Sequence, residues 1–179
     1  MRKVFRRRSV SQTPDADAGL RALIDANAAA AYRVALSIVR DASLAEDVVQ
    51  ETMIRVWRSH ESLRDPEAER AWVLRITHNV AVSTLRRIRD EATDPHDIPE
   101  AASLSADRHA EGRADLLQLR QALDSLDELT RSILVLRDVE GLPYATIAET
   151  LGTSIPLVKT RLLRGRRELQ RQVGTEAFT

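Results

Sequence analysis

The spacing of apolar residues limits what this chain can fold into more than any other feature of its sequence. Apolar residues recur three and four positions apart along almost the whole chain, with charged residues between them, as they do on one face of a helix. No run of β-branched residues alternates over the length of a strand, and only six Gly and six Pro interrupt the pattern. We therefore predict an all-α fold.

An acidic segment divides the chain into two helical halves. Residues 89–112 contain seven Asp or Glu against two Lys or Arg and few large apolar side chains, so they cannot bury enough surface to offset the entropy lost on ordering. The chain has 179 residues, of which 43% are apolar, and this is enough for two small cores. We predict a disordered basic tail at 1–19, a helical domain at 20–89, an acidic flexible linker at 90–112, a second helical domain at 113–173 and a short tail at 174–179.

The first half is predicted to contain three helical segments. Residues 20–39 form a helix pair or one bent helix. Ser43 and Glu46 have the spacing of a capping box and open a helix from Leu44 to about His60. After an Asp-Pro break, a further helix runs from about 67 to 89.

The helix that starts at Leu44 has one polar face on which charges of both signs meet. A face of this kind is usually only solvated. Ile54, however, lies among the polar groups and offers an apolar contact, which is a feature of docking surfaces. We name this surface the mixed face and define it by five residues: Asp47, Gln50, Glu51, Ile54 and Arg55.

The helix over 67–89 has one face that combines an aromatic ring, an amide, a hydroxyl and guanidinium groups. Guanidinium groups bind phosphates, and an indole ring can stack on an unpaired base. A single Trp on a helix is as often part of the core, and the pattern leaves both interpretations open. We name this surface the aromatic face: Trp72, Arg75, Asn79, Ser83, Arg86 and Arg87.

The second half ends in the pattern of a helix-turn-helix. A helix is predicted over 114–139, with an interruption near 125–128, and a short helix follows over about 144–151. Gly152 supplies the turn, Thr153 or Ser154 can cap the next helix, and that helix runs to about Val173.

The last helix carries six basic residues against one acidic residue, which makes it a phosphate-seeking surface. In a helix-turn-helix the second helix reads the major groove of DNA. The alternative is a basic helix that merely stays in solvent. We name this surface the basic face: Ser154, Leu157, Lys159, Thr160, Arg161, Arg164 and Arg167.

No pattern in the sequence points to catalysis. The chain has no Cys, its four His residues share no ligand spacing, and no Gly-rich loop follows a strand. We therefore predict no catalytic residue, no metal, no cofactor and no small-molecule substrate, and we do not expect an enzyme.

The cellular location is inferred from the N-terminal sequence and from the length of the apolar segments. The basic N-terminus is followed by polar residues and Pro14, unlike the apolar stretch of a signal peptide. No segment is expected to be long and apolar enough to span a membrane. We expect a cytoplasmic protein without membrane insertion.

Three runs of residues resemble those of extracytoplasmic-function (ECF) sigma factors, which are small two-domain bacterial transcription initiation factors. The run AEDVVQET at 45–52, followed by Val56 and Trp57, resembles part of the family's second region. The run AWVLRITHNVA at 71–81, with LRR at 85–87, resembles the promoter-melting helix of the same region, and residues 126–169 resemble the fourth region. Together the runs lie in the family's order and cover most of the chain outside the tail and linker.

The resemblance implies a role for each face. The mixed face would dock on the clamp helices of core RNA polymerase. The aromatic face would recognise and open the minus-ten element, with Asn79 near a base captured out of the stack, and the basic face would recognise the minus-thirty-five element. The implied partners are core RNA polymerase, promoter DNA and an anti-sigma factor. Ser83 and Thr146 stand where the family usually has carboxylates, and residues 155–157 also depart from its pattern, which bears on promoter preference.

Two other functions fit parts of the sequence. An autonomous helix-turn-helix transcriptional regulator would use residues 20–89 for dimerisation or ligand binding, and it would bind palindromic DNA without polymerase. A helical adaptor would bind only protein and show no dependence on DNA. Under the sigma interpretation, we expect two domains that sit apart in solution or are held together by a partner.

Overall fold

A computed structural model of the chain describes residues 14–60, 63, 65, 68–91, 118, 119 and 121–173. These residues contain helices and turns without a strand, which confirms the predicted all-α class. Residues 1–13 of the predicted N-terminal tail, the predicted C-terminal tail and nearly all of the predicted linker lie outside the described residues, so those domain limits stay predictions. The helices are α1 Pro14–Val39, α2 Ala42–Ser59, α3 Glu69–Glu91, α4 Glu128–Leu134, α5 Tyr144–Thr150 and α6 Ile155–Val173.

Helices α1–α3 form an N-terminal bundle. Helix α1 is one continuous helix that packs against both α2 and α3, so the predicted helix pair is not present. It begins at Pro14, and residues 14–19 are therefore helical where a disordered tail is predicted. Proline is tolerated in the first turn of a helix, because the N–H it lacks would have no partner there.

The turn between α1 and α2 replaces the predicted capping box. Arg40 adopts a left-handed conformation with φ 61°, and its N–H donates to Leu36 O. The next residue, Asp41, is extended, and its Oδ1 accepts a hydrogen bond of 2.8 Å from Leu44 N. Asp41 is therefore the cap, and the prediction that Ser43 and Glu46 cap this helix was wrong.

Helices α4–α6 form a C-terminal bundle. The Asp127 carboxylate caps α4, and the helix continues past Leu134 as a π-helical turn, Val135–Val139. Gly141 and Gly152 both have positive φ, 73° and 60°, which places the left-handed turns on either side of α5 at residues without a Cβ. The predicted interruption, short helix and last helix are all present.

The two bundles touch each other directly. Helix α1 packs against α4 and its π-helical turn, and α3 packs against α5. One core cluster runs through both bundles, so that Ile38 and Leu74 of the first share it with Ile133 and Leu136 of the second. The expectation that the domains sit apart unless a partner holds them together is therefore not met in this arrangement.

Helix α1 is the exception to the expected absence of membrane-spanning segments. Residues 18–39 are long and apolar enough to cross a membrane by length and composition alone. In the fold the buried residues of this stretch, Ala30, Val34 and Ile38 among them, belong to the core of the two bundles. Packing in this core explains why these residues are apolar.

Candidate nucleic-acid interface

The basic face lies on α6, and burial of the opposite side of the helix fixes its direction. Val158, Leu162 and Leu169 are buried at helical spacing against α4 and α5. The side chain of Ser154 accepts from Leu157 N at 3.4 Å, which makes Ser154 rather than Thr153 the cap. Six of the seven residues of the basic face are exposed, and Arg161 is half-buried.

Arg161 is committed to a contact inside the C-terminal bundle. Its Nη1 lies 2.7 Å from Asp127 Oδ2 and 3.3 Å from Thr130 Oγ1. Burial by itself would raise the pKa of Asp127, but hydrogen bonds from the Thr130 hydroxyl and N–H, together with the charge of Arg161, outweigh it, and the pKa lies below its usual value. Arg161 thus ties α6 to the start of α4 as well as standing at the edge of the basic face.

Three other cations of the basic face point into solvent. Lys159 Nζ lies 5.8 Å from the centre of the Tyr144 ring. Arg164 and Arg167 are exposed and form no ion pair with the described part of the chain. These three residues are the positive charges that a phosphate backbone could reach without breaking an internal pair.

The aromatic face follows α3 and is divided into two parts. Asn79, Ser83, Arg86 and Arg87 are exposed along the second half of the helix. Near its start, Trp72 is half-buried and packs against the small cluster of Leu20, Val56 and Val73, so the core interpretation of this Trp is partly correct. We find that this first part also lies against the C-terminal bundle.

The contact at the start of the aromatic face includes an ion pair between the bundles. Arg75 Nη1 lies 2.9 Å from Glu149 Oε1 on α5. Trp72 and Arg75 line one wall of a cleft of about 680 Å³, and Pro143, Thr146 and Glu149 line the other wall. Thr146, which departs from the family pattern, therefore faces the aromatic face rather than the open side of α6.

The mixed face lies on the outer side of α2. Ala45, Val48 and Thr52 turn inward, which leaves the five residues of the mixed face on the solvent side. Ile54 is 43% exposed, and Trp57, one turn further on, is 47% exposed. Trp57 enlarges the apolar centre of this face, and its spacing of three residues from Ile54 is the signal that could have predicted its inclusion.

The described residues contain no group of three or more His, Cys, Asp or Glu placed to hold a metal ion. The three faces are instead surfaces of charge, amides and exposed apolar side chains. Such surfaces bind macromolecules through ion pairs, stacking and apolar contact.

Comparison with known proteins gives matches over both bundles. The family described as Sigma-70 region 2 matches residues 23–91, and the family described as Sigma-70, region 4 matches residues 116–169. The chain is 35% identical over 159 residues to the ECF RNA polymerase sigma factor SigL of Mycobacterium tuberculosis, covering 86% of this chain and 88% of that protein. It is 36% identical over 163 residues to SigE of Mycolicibacterium smegmatis, where it spans 83% of this chain and 59% of that protein.

Solved structures show the same arrangement of helices. The sigma factor RpoE in complex with the anti-sigma factor NepR, from Bartonella quintana, superimposes with a TM-score of 0.76 and 25% identity, over 91% of this chain and 99% of that chain. CnrH in complex with the cytosolic domain of CnrY gives a TM-score of 0.64 at 24% identity, over 91% of each chain, and supports the fold alone. The matched families divide the chain as the two bundles do.

Proposed function

The chain belongs to the ECF sigma factors of RNA polymerase, and we propose that it binds core RNA polymerase and directs initiation at promoters by recognising the minus-thirty-five and minus-ten elements and helping to open the DNA. The observation that carries this function is the presence of both sigma regions, in order, on two helical bundles that each expose a cationic surface. An autonomous regulator would need only the second bundle for DNA.

The basic face is proposed to recognise the minus-thirty-five element. Its exposed cations would contact phosphates, which position the protein without reading sequence. Leu157 and Thr160 are exposed in the first two turns of α6. At these positions the Thr160 hydroxyl can bond to a base edge, and the apolar Leu157 side chain can contact a thymine methyl group. Arg161 would take part at the edge of this contact while it stays bonded to Asp127.

The aromatic face is proposed to bind the minus-ten element once it opens. Unpairing and unstacking a base costs a few kcal/mol, and stacking on an aromatic side chain returns about 1–3 kcal/mol per base. Asn79 and Ser83 offer hydrogen bonds beside Trp72, and Arg86 and Arg87 offer charge for the phosphates. The protein would make and break no covalent bond, because its contribution is binding energy.

The mixed face is proposed to dock on core polymerase. Ile54 and Trp57 supply an exposed apolar centre, and the surrounding Asp47, Gln50 and Arg55 supply a polar rim, which is the composition of a protein interface. Arg55 is held in place by a 2.7 Å contact with Glu51, one turn earlier on the helix.

Further partners follow from the relatives. RpoE of Bartonella quintana was solved with the anti-sigma factor NepR, and CnrH was solved with the cytosolic domain of CnrY. We propose that this chain is likewise controlled by an anti-sigma protein, and that it acts in the cytoplasm, where polymerase and chromosomal DNA meet.

Run-off transcription with purified core polymerase and a pool of promoters tests this function. Adding the protein should produce new start sites, and the protein should co-elute with core polymerase. If core polymerase ignores the protein while free protein binds duplex DNA, the chain is an autonomous regulator. If transcription and DNA binding are both absent but a protein partner is bound, it is an adaptor.

Charge reversal on α6 distinguishes a specific role of the basic face in initiation from a general effect of changed charge. Arg164→Glu should abolish promoter-specific initiation, because it places a negative charge against the phosphate backbone. Arg171→Glu is the matched control, since it makes the same change on the same helix at a residue already paired with Glu168. Equal loss in both variants would contradict a specific role for the basic face.

Ile54→Glu tests the mixed face in the same way. The side chain is 43% exposed, so the substitution should leave the fold intact and weaken binding to core polymerase at least tenfold, because it puts a charge into the apolar centre of the interface. Ser43→Glu, at an exposed position on the same helix, is the control. Unchanged co-elution of the Ile54 variant would exclude this face from the contact.

A further inference from the structure

Glu140 is the most deeply buried carboxylate among the ion pairs of the described residues. Its side chain is completely buried between the bundles. Oε1 accepts from Arg33 Nε at 2.7 Å, Oε2 accepts from Arg33 Nη2 at 3.1 Å, and Arg70 Nη2 also donates to Oε2. Arg33 lies on α1 and Arg70 on α3, so one carboxylate of the C-terminal bundle binds two helices of the N-terminal bundle.

The π-helical turn places Glu140 at this point. Its N–H bonds to Val135 O, five residues back, instead of four as in an α-helix. The wider turn adds one residue and so shifts the positions that follow around the axis. Gly141, with φ 73°, then turns the chain into α5. A local irregularity of the backbone therefore lies directly before the residue that joins the bundles and sets its position.

Among the described residues, the other ion pairs between the bundles all have the same polarity. Arg75 pairs with Glu149 at 2.9 Å, Arg89 with Glu128 at 3.6 Å, and Arg40 with Asp124 at 2.9 Å. In each pair the arginine belongs to the N-terminal bundle and the carboxylate to the C-terminal bundle. The two surfaces are therefore complementary in charge, with Glu140 at the only fully buried position among these pairs.

This arrangement does not allow both promoter elements to be bound at once. Elements named for positions ten and thirty-five lie about 25 base pairs apart, or about 85 Å of duplex at 3.4 Å per pair. Here Arg75 of the aromatic face contacts Glu149 of the helix-turn-helix at 2.9 Å. The start of the aromatic face is covered by α5, and the bundles must separate before the chain can span a promoter.

We propose that the free chain is self-inhibited in a closed state, in which Glu140 binds Arg33 and Arg70 and holds α5 over the Trp72–Arg75 end of the aromatic face. That closure inhibits the chain rests on the proposed sigma function, whereas closure itself is a property of the free protein. Polymerase or an activating partner would have to break the Glu140 contacts to open the chain.

The strength of the closed state sets the apparent affinity for polymerase. If only the open form binds, the apparent Kd is the intrinsic Kd divided by the open fraction. Arg33 and Arg70 are 45% and 41% exposed, so water solvates them readily once the bundles part. An amide at position 140 keeps the shape of the side chain but loses the charge that makes these bonds strong, and we expect about a tenfold larger open population.

Glu140→Gln, measured in the full chain, tests closure directly. Because the chain has no Cys, Ala22→Cys and Gln170→Cys introduce two unique, exposed sites for spin labels, one in each bundle. Pulsed EPR should give one narrow distance for the otherwise unchanged chain and a broader, longer distribution with Glu140→Gln. Asp138→Asn is the matched control, since it removes a neighbouring carboxylate whose partner, Arg166, lies in the same bundle.

Binding and transcription then test inhibition. Glu140→Gln should lower the apparent Kd for core polymerase about tenfold and raise initiation at limiting protein, whereas Asp138→Asn should change neither by more than about twofold. The double variant Arg33→Ala, Arg70→Ala should open the chain further, because closing would bury an unpaired carboxylate. These two arginines are partly exposed, so their removal leaves no cavity and provides a second route if Glu140→Gln folds poorly.

Three results would overturn the proposal. One is a broad distribution in the parent chain that Glu140→Gln leaves unchanged, which would mean that no closed state is populated. Another is opening by either variant without tighter polymerase binding, which would mean that closure does not inhibit. The third is an unchanged narrow distance in the double variant. Failure of the parent chain to direct transcription at all would refute the sigma function, but it would leave the EPR result on closure standing.

Discussion

Gly165 marks the closest approach of two helices in the C-terminal bundle, and Gly165→Ala should therefore destabilise the protein. A Cβ at this position would lie 2.7 Å from Thr130 Cγ2 and 2.9 Å from Leu134 Cδ1, both on α4. Carbon atoms in proteins pack at about 3.5–4.0 Å, so α6 or α4 would have to move. Since α6 carries the basic face, such a movement would also displace that face.

The size of the loss in unfolding free energy depends on which neighbouring side chain can move. Leu134 can change rotamer, but Thr130 is β-branched, and its Oγ1 is fixed by a 2.7 Å hydrogen bond to Asp127. Overpacking costs about 1–3 kcal/mol, and the fixed Thr130 side chain puts this site in the upper part of that range, at about 2–3 kcal/mol, of which the better helix propensity of Ala returns about 1 kcal/mol. We expect a net loss of roughly 1–2 kcal/mol, or roughly 3–6 °C in Tm for a chain of this length.

Thermal unfolding followed by circular dichroism measures this change, and Gly19→Ala is its control. Gly19 is also in a helix, but nothing lies within 4 Å of the position of its Cβ. The same substitution there should raise stability by up to about 1 kcal/mol through helix propensity alone. A neutral or positive effect of Gly165→Ala would refute the argument from close packing.

Three further predictions concern single residues. Asp41→Ala removes the cap of α2 and should cost about 1 kcal/mol in denaturant unfolding. Arg164→Ala should reduce the salt dependence of promoter binding by about one counterion, measured as the slope of log K against log salt, with little change in sequence preference. Burial lowers the pKa of His78 despite a hydrogen bond to Asn79 and the nearby charge of Glu128, so the unfolded chain binds the proton more readily. Tm should therefore fall as the pH drops below about 6.5, and His78→Gln should weaken that dependence.

The sequence predicts the helices well because their apolar spacing is repeated over many residues. The last two helices agree with prediction within a residue, since Gly152 can turn where other residues would be strained and Val158 and Leu162 mark a buried stripe. The faces could be predicted for the same reason, because a helix that buries one side must expose the other. Their roles toward polymerase and DNA stay predictions until the variants are measured.

Features that depend on a single turn or on distant contacts were not predicted. Ser43 and Glu46 fit a capping motif in sequence, but the left-handed backbone of Arg40 brings Asp41 to the free N–H groups first. The π-helical turn before Glu140 leaves no signal in apolar spacing, because it adds a single residue at the end of a buried run. The partners of Glu140 are 70 and 107 residues away in the sequence, beyond the reach of local patterns.

The zero net charge of the chain has a structural counterpart in the closed arrangement. Basic and acidic residues are equal in number, yet the pairs between the bundles take arginines from one side and carboxylates from the other. Opening the chain would therefore separate charge: the N-terminal bundle would present Arg33 and Arg70 together with Arg75 of the aromatic face, and the C-terminal bundle would present Glu140 and Glu149. A cationic surface that appears only on opening binds phosphates only then. Under the proposed inhibition, the same ion pairs that hold the free protein closed also keep the Trp72–Arg75 end of the aromatic face from binding DNA before polymerase is present.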